Sequence, residues 1–314
     1  MLYHLWKLLT RELFLSVAFW MSPERKHRVE RLMRGKEELR RLRIADAVIV
    51  SYGKSGRTWL RVLISRFFQL RYRLRKSAFI HFDNLHRRNA RIPRLLFTHD
   101  NYLRDYTGNL DNRADFYDRR TVLLIRHPAD VAVSQYFQWK FRMRPHKKGL
   151  NKYPEHGAEV SVFDFVTDED AGLPKVIEFM NAWTRELPKV RDKLVVRYED
   201  LRADTAGELG QVLRFIGQEP TDAELQECVA FASVENMRKL EEKSVFWLAG
   251  SRMRPKDKSN PSSYKVRRAK IGGYRDYFDD EQVDQIERMI EDRLLPGFGY
   301  LARERAQPEA KVPA

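Results

Sequence analysis

The chain has 314 residues, 43% of them hydrophobic, with 59 lysines and arginines against 44 aspartates and glutamates, a net charge of +15. That length and apolar content support one large core and exclude a disordered chain, while the lone Cys228 excludes an intramolecular disulfide and a cysteine–zinc site. The positive excess suits an anionic ligand, a nucleic acid or an anionic membrane. Basic runs such as Arg71–Lys76 carry no RNA-stacking motif, so nucleic acid is set aside.

In chain order, Leu2, Leu5, Trp6, Leu9, Leu13, Val17 and Trp20 recur at helical spacing, with His4, Lys7, Arg11 and Glu12 on the other face. The charges interrupt the apolar run, so it does not span a bilayer, and no small-residue cleavage site marks a signal peptide. A basic stretch, Arg25 to Arg43, follows, with Glu30, Glu37 and Glu38 interspersed. Two readings stay open for residues 1–43: a helical segment packed on its own domain or a partner, or one lying on an anionic membrane surface.

A strand over 46–51 runs into a glycine-bearing basic turn, Gly53-Lys54-Ser55-Gly56-Arg57-Thr58, which opens a helix over 58–70. Free backbone N–H groups and the helix dipole converge there, glycine lets the backbone close on a phosphate, and lysine and hydroxyls add donors. A nucleoside-triphosphatase loop would need glycine where Val48 stands. The next strand, 94–98, ends at Thr98-His99. The strand over 121–125 ends at Arg126, where a Walker-type enzyme wants an acidic magnesium ligand, and a helix over 130–142 carries Ser134. Arg126 and Ser134 therefore suit a second phosphate. Residues 144–160 and 250–265 read as polar loops, candidate lids by length. Helices are expected at 174–190, 205–216, 221–231 and 280–293, a fourth strand at 193–197, and a disordered tail over 301–314. Alternating strands and helices predict an α/β fold: a P-loop-like parallel sheet with helices on both faces, one domain over 45–300, preceded by the amphipathic segment 1–44.

In this order the segments resemble the cytosolic type of sulfotransferases that use 3′-phosphoadenosine 5′-phosphosulfate (PAPS). Tyr52–Trp59 is similar to that family's Tyr-Pro-Lys-Ser-Gly-Thr-Thr-Trp loop, and Arg126–Ser134 to its Arg-x-Pro-x-Asp-Val-x-Val-Ser stretch. Thr98-His99, Tyr198-Glu199-Asp200, Ser233–Arg238 and Arg267–Phe278 match further segments in the family's order, so that the resemblance spans about residues 45 to 295. It implies transfer of a sulfuryl group from PAPS to a hydroxyl of an unidentified acceptor, with His99 as general base and Lys54 stabilising the leaving phosphate. It further implies that Ser55, Gly56, Arg57 and Thr58 hold the 5′-phosphate and that Arg126, Ser134, Arg267 and Arg268 hold the 3′-phosphate. Trp59 and Tyr198 would face adenine with Ser233 near them, and no metal is required.

The chain departs from the family at four places: Gly53 for proline, Arg57 for threonine, Phe97 for a lysine, and Ala269 for a glycine that approaches the 3′-phosphate. Arg57 is the candidate to supply the charge missing at Phe97. The family's dimer segment would fall at Arg275–Asp284, where Asp279 and Asp280 replace its Thr-Val pair, so that dimer is expected to be weak or absent. A single cysteine and the proline-blocked Asn260-Pro-Ser triplet predict a cytoplasmic protein. The alternatives are a PAPS-binding or PAP-binding protein without chemistry, where PAP is the desulfated product, and a P-loop kinase.

Overall fold

The computed structural model describes residues 20–246 and 253–305. Four parallel strands form the sheet: β1 (Ala47–Val50), β2 (Leu95–Thr98), β3 (Thr121–Ile125) and β4 (Lys193–Arg197), in the spatial order β2-β1-β3-β4. The segments over 47–50 and 121–125 are unbroken apolar or β-branched runs buried along their whole length, the pattern of strands covered on both faces. Alternate residues feed two cores. Ala47, Ile49, Val122 and Leu124 pack with α2 (Arg57–Arg71), whereas Val48, Val50, Leu123 and Ile125 pack with α4 (Pro128–Phe141) and α7 (Leu173–Glu186). Helices thus lie on both faces, as expected. Register pairs Val50 with Thr98 on one side and with Leu123 on the other, so β1 and β2 end together, and β3 and β4 end together two residues further on.

The expected strands agree with the observed ones to within a residue at each end, and α2, α4, α7, α9 (Thr205–Phe215), α10 (Asp222–Phe231) and α12 (Asp280–Arg293) fall where helices were expected. Residues 187–189 of the expected 174–190 helix form a 3-10 turn instead, whose second residue, Pro188, supplies no N–H to continue the α-helix. The loop expected over 144–160 contains a short helix, α5 (Pro145–Leu150), begun by a proline at its first position. Four more helices were not foreseen: α3 (Asn101–Thr107), α6 (Val162–Thr167), α8 (Tyr198–Ala203) and α11 (Val234–Glu242). None is long enough to show a clear apolar period, although Ser161 and Ser233 announce two of them as N-caps. Asp279 caps α12 in a reciprocal capping box with Gln282, which gives the aspartate in the departing dimer segment a local use.

The basic stretch is α1 (Pro23–Ile44), started by Ser22 as N-cap and Pro23 behind it. It docks on α3. Gly35 lets the two backbones touch: a Cβ there would lie 2.1 Å from the Tyr102 carbonyl oxygen. Glu30, 1% exposed, is held by Arg34 and His146 at 2.5 Å each, and Arg31 pairs with Asp105. The described part of this segment therefore packs on its own domain. The apolar run from Leu2 to Val17 lies outside the described residues, and among those described no helix is long and apolar enough to cross a membrane. The expected tail begins as a helical turn, Ala302–Arg305, and its remainder also lies outside.

Replacing Gly35 by leucine should separate α1 from α3, because the contact it invades is backbone and cannot repack. A destabilisation of about 1–3 kcal/mol is expected, read as a lower thermal midpoint with new proteolytic cleavage within residues 23–44. Unchanged melting and protection would show that the docking is not tight.

Candidate active site

All four strands deliver their carboxyl ends to one edge of the sheet, and each end carries one of the sequence-selected groups. β1 leads into the Gly53–Thr58 turn, β2 into His99, β3 into Arg126 and β4 into Tyr198. These residues, with Trp59, Ser134, Arg267 and Arg268, line one cleft of about 1680 Å³. Ser55 and Ser233 are placed differently. Ser55 is buried under the turn, and the Ser233 hydroxyl accepts from Asn236 N to cap α11, while its neighbours Ala232 and Val234 reach the cleft.

The turn is built for an anion. Lys54 holds φ +74° and Gly56 φ +94°, left-handed conformations of the kind that form anion-binding concavities, and the turn leads into the N-terminus of α2. Gly56 cannot be replaced cheaply: a Cβ would lie 2.6 Å from Tyr198 Cδ2. Tyr198, 6% exposed, is wedged between Gly56, the Arg126 guanidinium 4.4 Å above its ring, and the edge of Trp59. Trp59 is anchored by its indole N–H to Ala232 O at 2.9 Å. Trp59 thus stands at the cleft wall, and Tyr198 braces the turn.

Lys54 sits in this cleft with the Gln138 amide oxygen at 3.4 Å and, among the described residues, no carboxylate within ion-pair distance. Burial, then the Arg142 and Arg267 charges, push its ammonium down to about 7. The nearby carboxylates are spent on other work. Asp130 accepts from Gly272 N and Tyr274 N at 3.0 Å each and from Arg126 at 3.2 Å, pinning the C-terminal segment to α4. Glu241 on α11, fully buried, binds Arg142 at 3.1 Å and the N–H groups of Lys265 and Val266, which fastens the polar loop before them. Glu199 accepts from His127 N at 2.9 Å and from the Tyr300 hydroxyl at 2.7 Å. What remains is a cleft whose uncompensated charge is positive.

The second anion corner lies across the cleft. Arg126 donates to Lys270 O at 3.0 Å, Arg267 lies 3.6 Å from the Phe137 ring centre and donates to the Tyr277 hydroxyl at 3.0 Å, and Arg268 pairs with Asp276 at 2.7 Å. Ala269 keeps φ +52°, the left-handed conformation that glycine takes at no steric cost, so the backbone path survives the substitution at a modest strain.

His99 is oriented from below. Its Nδ1 lies 2.7 Å from Ser51 O. A carbonyl only accepts, so Nδ1 carries the hydrogen and Nε2 presents a lone pair to the cleft. That lone pair meets Arg57 Nη2 at 2.5 Å. The Thr98 hydroxyl donates to Glu38 of α1 and accepts from Asp100 N at 2.7 Å, tying the N-terminal helix to the strand end before His99. Phe97 turns away from the cleft, its ring under the Arg61 guanidinium at 4.4 Å. Sequence reading missed Gln138, Arg142, Glu241 and Glu38 because each acts across the fold. Asp130, in the first turn of α4, clips the C-terminal segment to that helix.

Lys54 should take up a proton when an anion binds, because a neighbouring phosphate favours the ammonium that burial disfavours. Binding of PAP should weaken as pH rises through about 7 and should show proton uptake by calorimetry in buffers of different ionisation enthalpy. A Lys54→Met variant should lose that uptake. Equal uptake in the variant would place the titrating group elsewhere.

The sulfotransferase-domain family model matches residues 45–299. Mouse sulfotransferase 2A1 is 23% identical over 264 residues, covering 81% of this chain and 85% of its own. Cytosolic sulfotransferase 10 of Arabidopsis thaliana is 23% identical over 316 residues, covering 91% and 88%. Among solved structures, mouse sulfotransferase SULT7A1 complexed with PAP superposes with a TM-score of 0.54 at 17% identity, over 88% of this chain and 94% of that one. Retinol dehydratase in a complex with retinol and PAP also gives 0.54 at 17%, over 79% and 80%. With four-fifths of its length inside the family's domain and the two basic strand-end turns joined in one cleft, the chain belongs to the sulfotransferase family.

Proposed function

We propose that the protein transfers a sulfuryl group from PAPS to an acceptor hydroxyl, with His99 and Lys54 as the reacting pair. The observation that carries this is a basic cleft with two anion corners and an imidazole whose Nε2 lone pair faces it. The solved neighbours complexed with PAP support the nucleotide. The Gly56 N–H, Arg57 and Thr58 at the first turn of α2 would hold the 5′-phosphate, with Ser55 beneath. Arg126, Ser134, Arg267 and Arg268 would hold the 3′-phosphate. Trp59 and Tyr198 would bound the adenine, with Ser233 at the start of α11.

The chemistry balances without a metal-held charge. The acceptor oxygen bonds to sulfur while the bridging oxygen–sulfur bond breaks, and PAP departs with the bonding pair. The acceptor proton passes to His99 Nε2. The Lys54 ammonium and the N-terminus of α2 meet the charge growing on the leaving phosphate. Related solved structures contain retinol and androsterone, both hydroxylated lipids. Here Tyr52, Tyr153 and Phe179 line the acceptor side, faced by α1 residues His27, Arg31 and Arg34, which suits an amphiphilic hydroxyl compound.

Two measurements test the assignment. PAP should bind the wild type without magnesium and lose about 2–3 kcal/mol of affinity in Arg126→Ala, by calorimetry. With an accepted hydroxyl compound, His99→Asn should lower kcat by roughly 100-fold or more with PAP binding kept. Failure of a folded wild type to bind PAP would end this reading.

A cytoplasmic location at an inner membrane face is the finer part of the proposal. Its supports are the single, buried Cys228 and the apolar period of residues 1–20. Vesicles with anionic lipid should sediment the full chain, and deleting residues 1–22 should abolish it. If the full chain stays in the supernatant, the membrane role is lost.

A further inference from the structure

Arg57 is the departure from the family pattern that touches the reacting centre, and its position poses a physical problem. His99 presents its lone pair on Nε2, because Nδ1–H is donated to Ser51 O. Arg57 Nη2 lies on that lone pair at 2.5 Å. A nitrogen so engaged cannot also accept an incoming hydroxyl. Were it to take a proton there, imidazolium and guanidinium would be in contact, two like charges in a cleft already holding Lys54, Arg126 and Arg267.

The same guanidinium belongs to the first residue of α2, beside the left-handed Gly56. A cation at a helix N-terminus opposes the dipole, so this end of α2 carries more positive charge than it can balance. Phosphate relieves that. A guanidinium grips a phosphate by two parallel bonds between opposite charges, whereas the imidazole nitrogen offers it one neutral acceptor. Glu38 also faces Arg57, but the Thr98 hydroxyl donates to Glu38 and burial holds that carboxyl toward its neutral form, which weakens its pull.

We propose that Arg57 is a gate on the general base: it covers His99 Nε2 in the nucleotide-free protein, and the phosphosulfate end of the donor draws it off, so that the base becomes available only once the donor is in place. The inference rests on the proposed PAPS reading and deepens it. Its functional consequence is that an acceptor entering first meets a capped base and cannot be deprotonated. Arg57 so acts as a positioning residue before the reaction and as a phosphate ligand during it.

The test needs no acceptor. Carbethoxylation of His99 by diethyl pyrocarbonate, followed by mass spectrometry of its peptide at one pH near neutrality, reports access to Nε2. Exposed His156 serves as the internal reference. In the wild type His99 should react slowly, and saturating PAP should raise its rate on the order of tenfold, the factor that accompanies one charge-assisted hydrogen bond. In Arg57→Thr the rate should already be high and PAP should not raise it. A variant no faster than the nucleotide-free wild type overturns the occlusion. A wild-type rate unchanged or slowed by PAP that calorimetry shows to be bound overturns the release. If the wild type binds no PAP, the nucleotide reading and the release fall together, while the variant comparison still decides the occlusion. The wild-type pair of rates decides the gate even if the variant does not fold.

Discussion

The parallel pairing of β1 with β3 is the constraint on which the rest of the site depends. Val50, the last residue of β1, lies opposite Leu123, and β3 runs only two residues further, about 7 Å, so their following turns open on the same edge of the sheet. One turn opens α2 and the other opens α4, and the positive ends of both helices face the same cleft. Had the strands been separated by another, the anion corners would lie a strand spacing further apart, about 5 Å, and one nucleotide would not bridge them in the same way. β2 on the outer side of β1 then brings His99 beside the first corner, and β4 brings Tyr198 under it.

A second theme is how carboxylates are used. Asp130, Glu199 and Glu241 each accept from backbone N–H groups of distant segments, and Asp130 and Glu241 each take one arginine besides, Arg126 and Arg142. Buried charge is tolerated only when it is hydrogen-bonded, and these acids meet that condition by sewing the chain's distant segments to α4, α8 and α11. Lys54 is left with a neutral amide, and burial lowers its ammonium accordingly. The cleft is therefore preorganised for negative charge, and it is electrostatically strained without it.

The departures from the family pattern fall into a physical order. Phe97 is removed from the chemistry by its ring's placement under Arg61, so the lysine it replaces has no counterpart on that strand face. Ala269 preserves its backbone conformation. Arg57 alone introduces a new group at the reacting centre, where it meets the base directly. In the proposed reading, charge stabilisation and control of the base converge on that one side chain.

The identity of the two turns, the strand-end histidine and the family's segments was legible in the sequence, because strand, glycine turn and helix are contiguous and their chemistry is local. The long helices and all four strands were legible for the same reason: their apolar runs are long enough to show a period or a continuous block. The short helices α3, α5, α6, α8 and α11 were not, since helices of nine residues or fewer are held by packing more than by their own pattern. Strand order, the contact of Glu38 with Thr98, the clasp of Glu241 on Lys265 and Val266, and the cover of Arg57 on His99 belong to the tertiary structure alone. The three contacts join residues between 24 and 60 positions apart, and no local rule of propensity or spacing reaches that far.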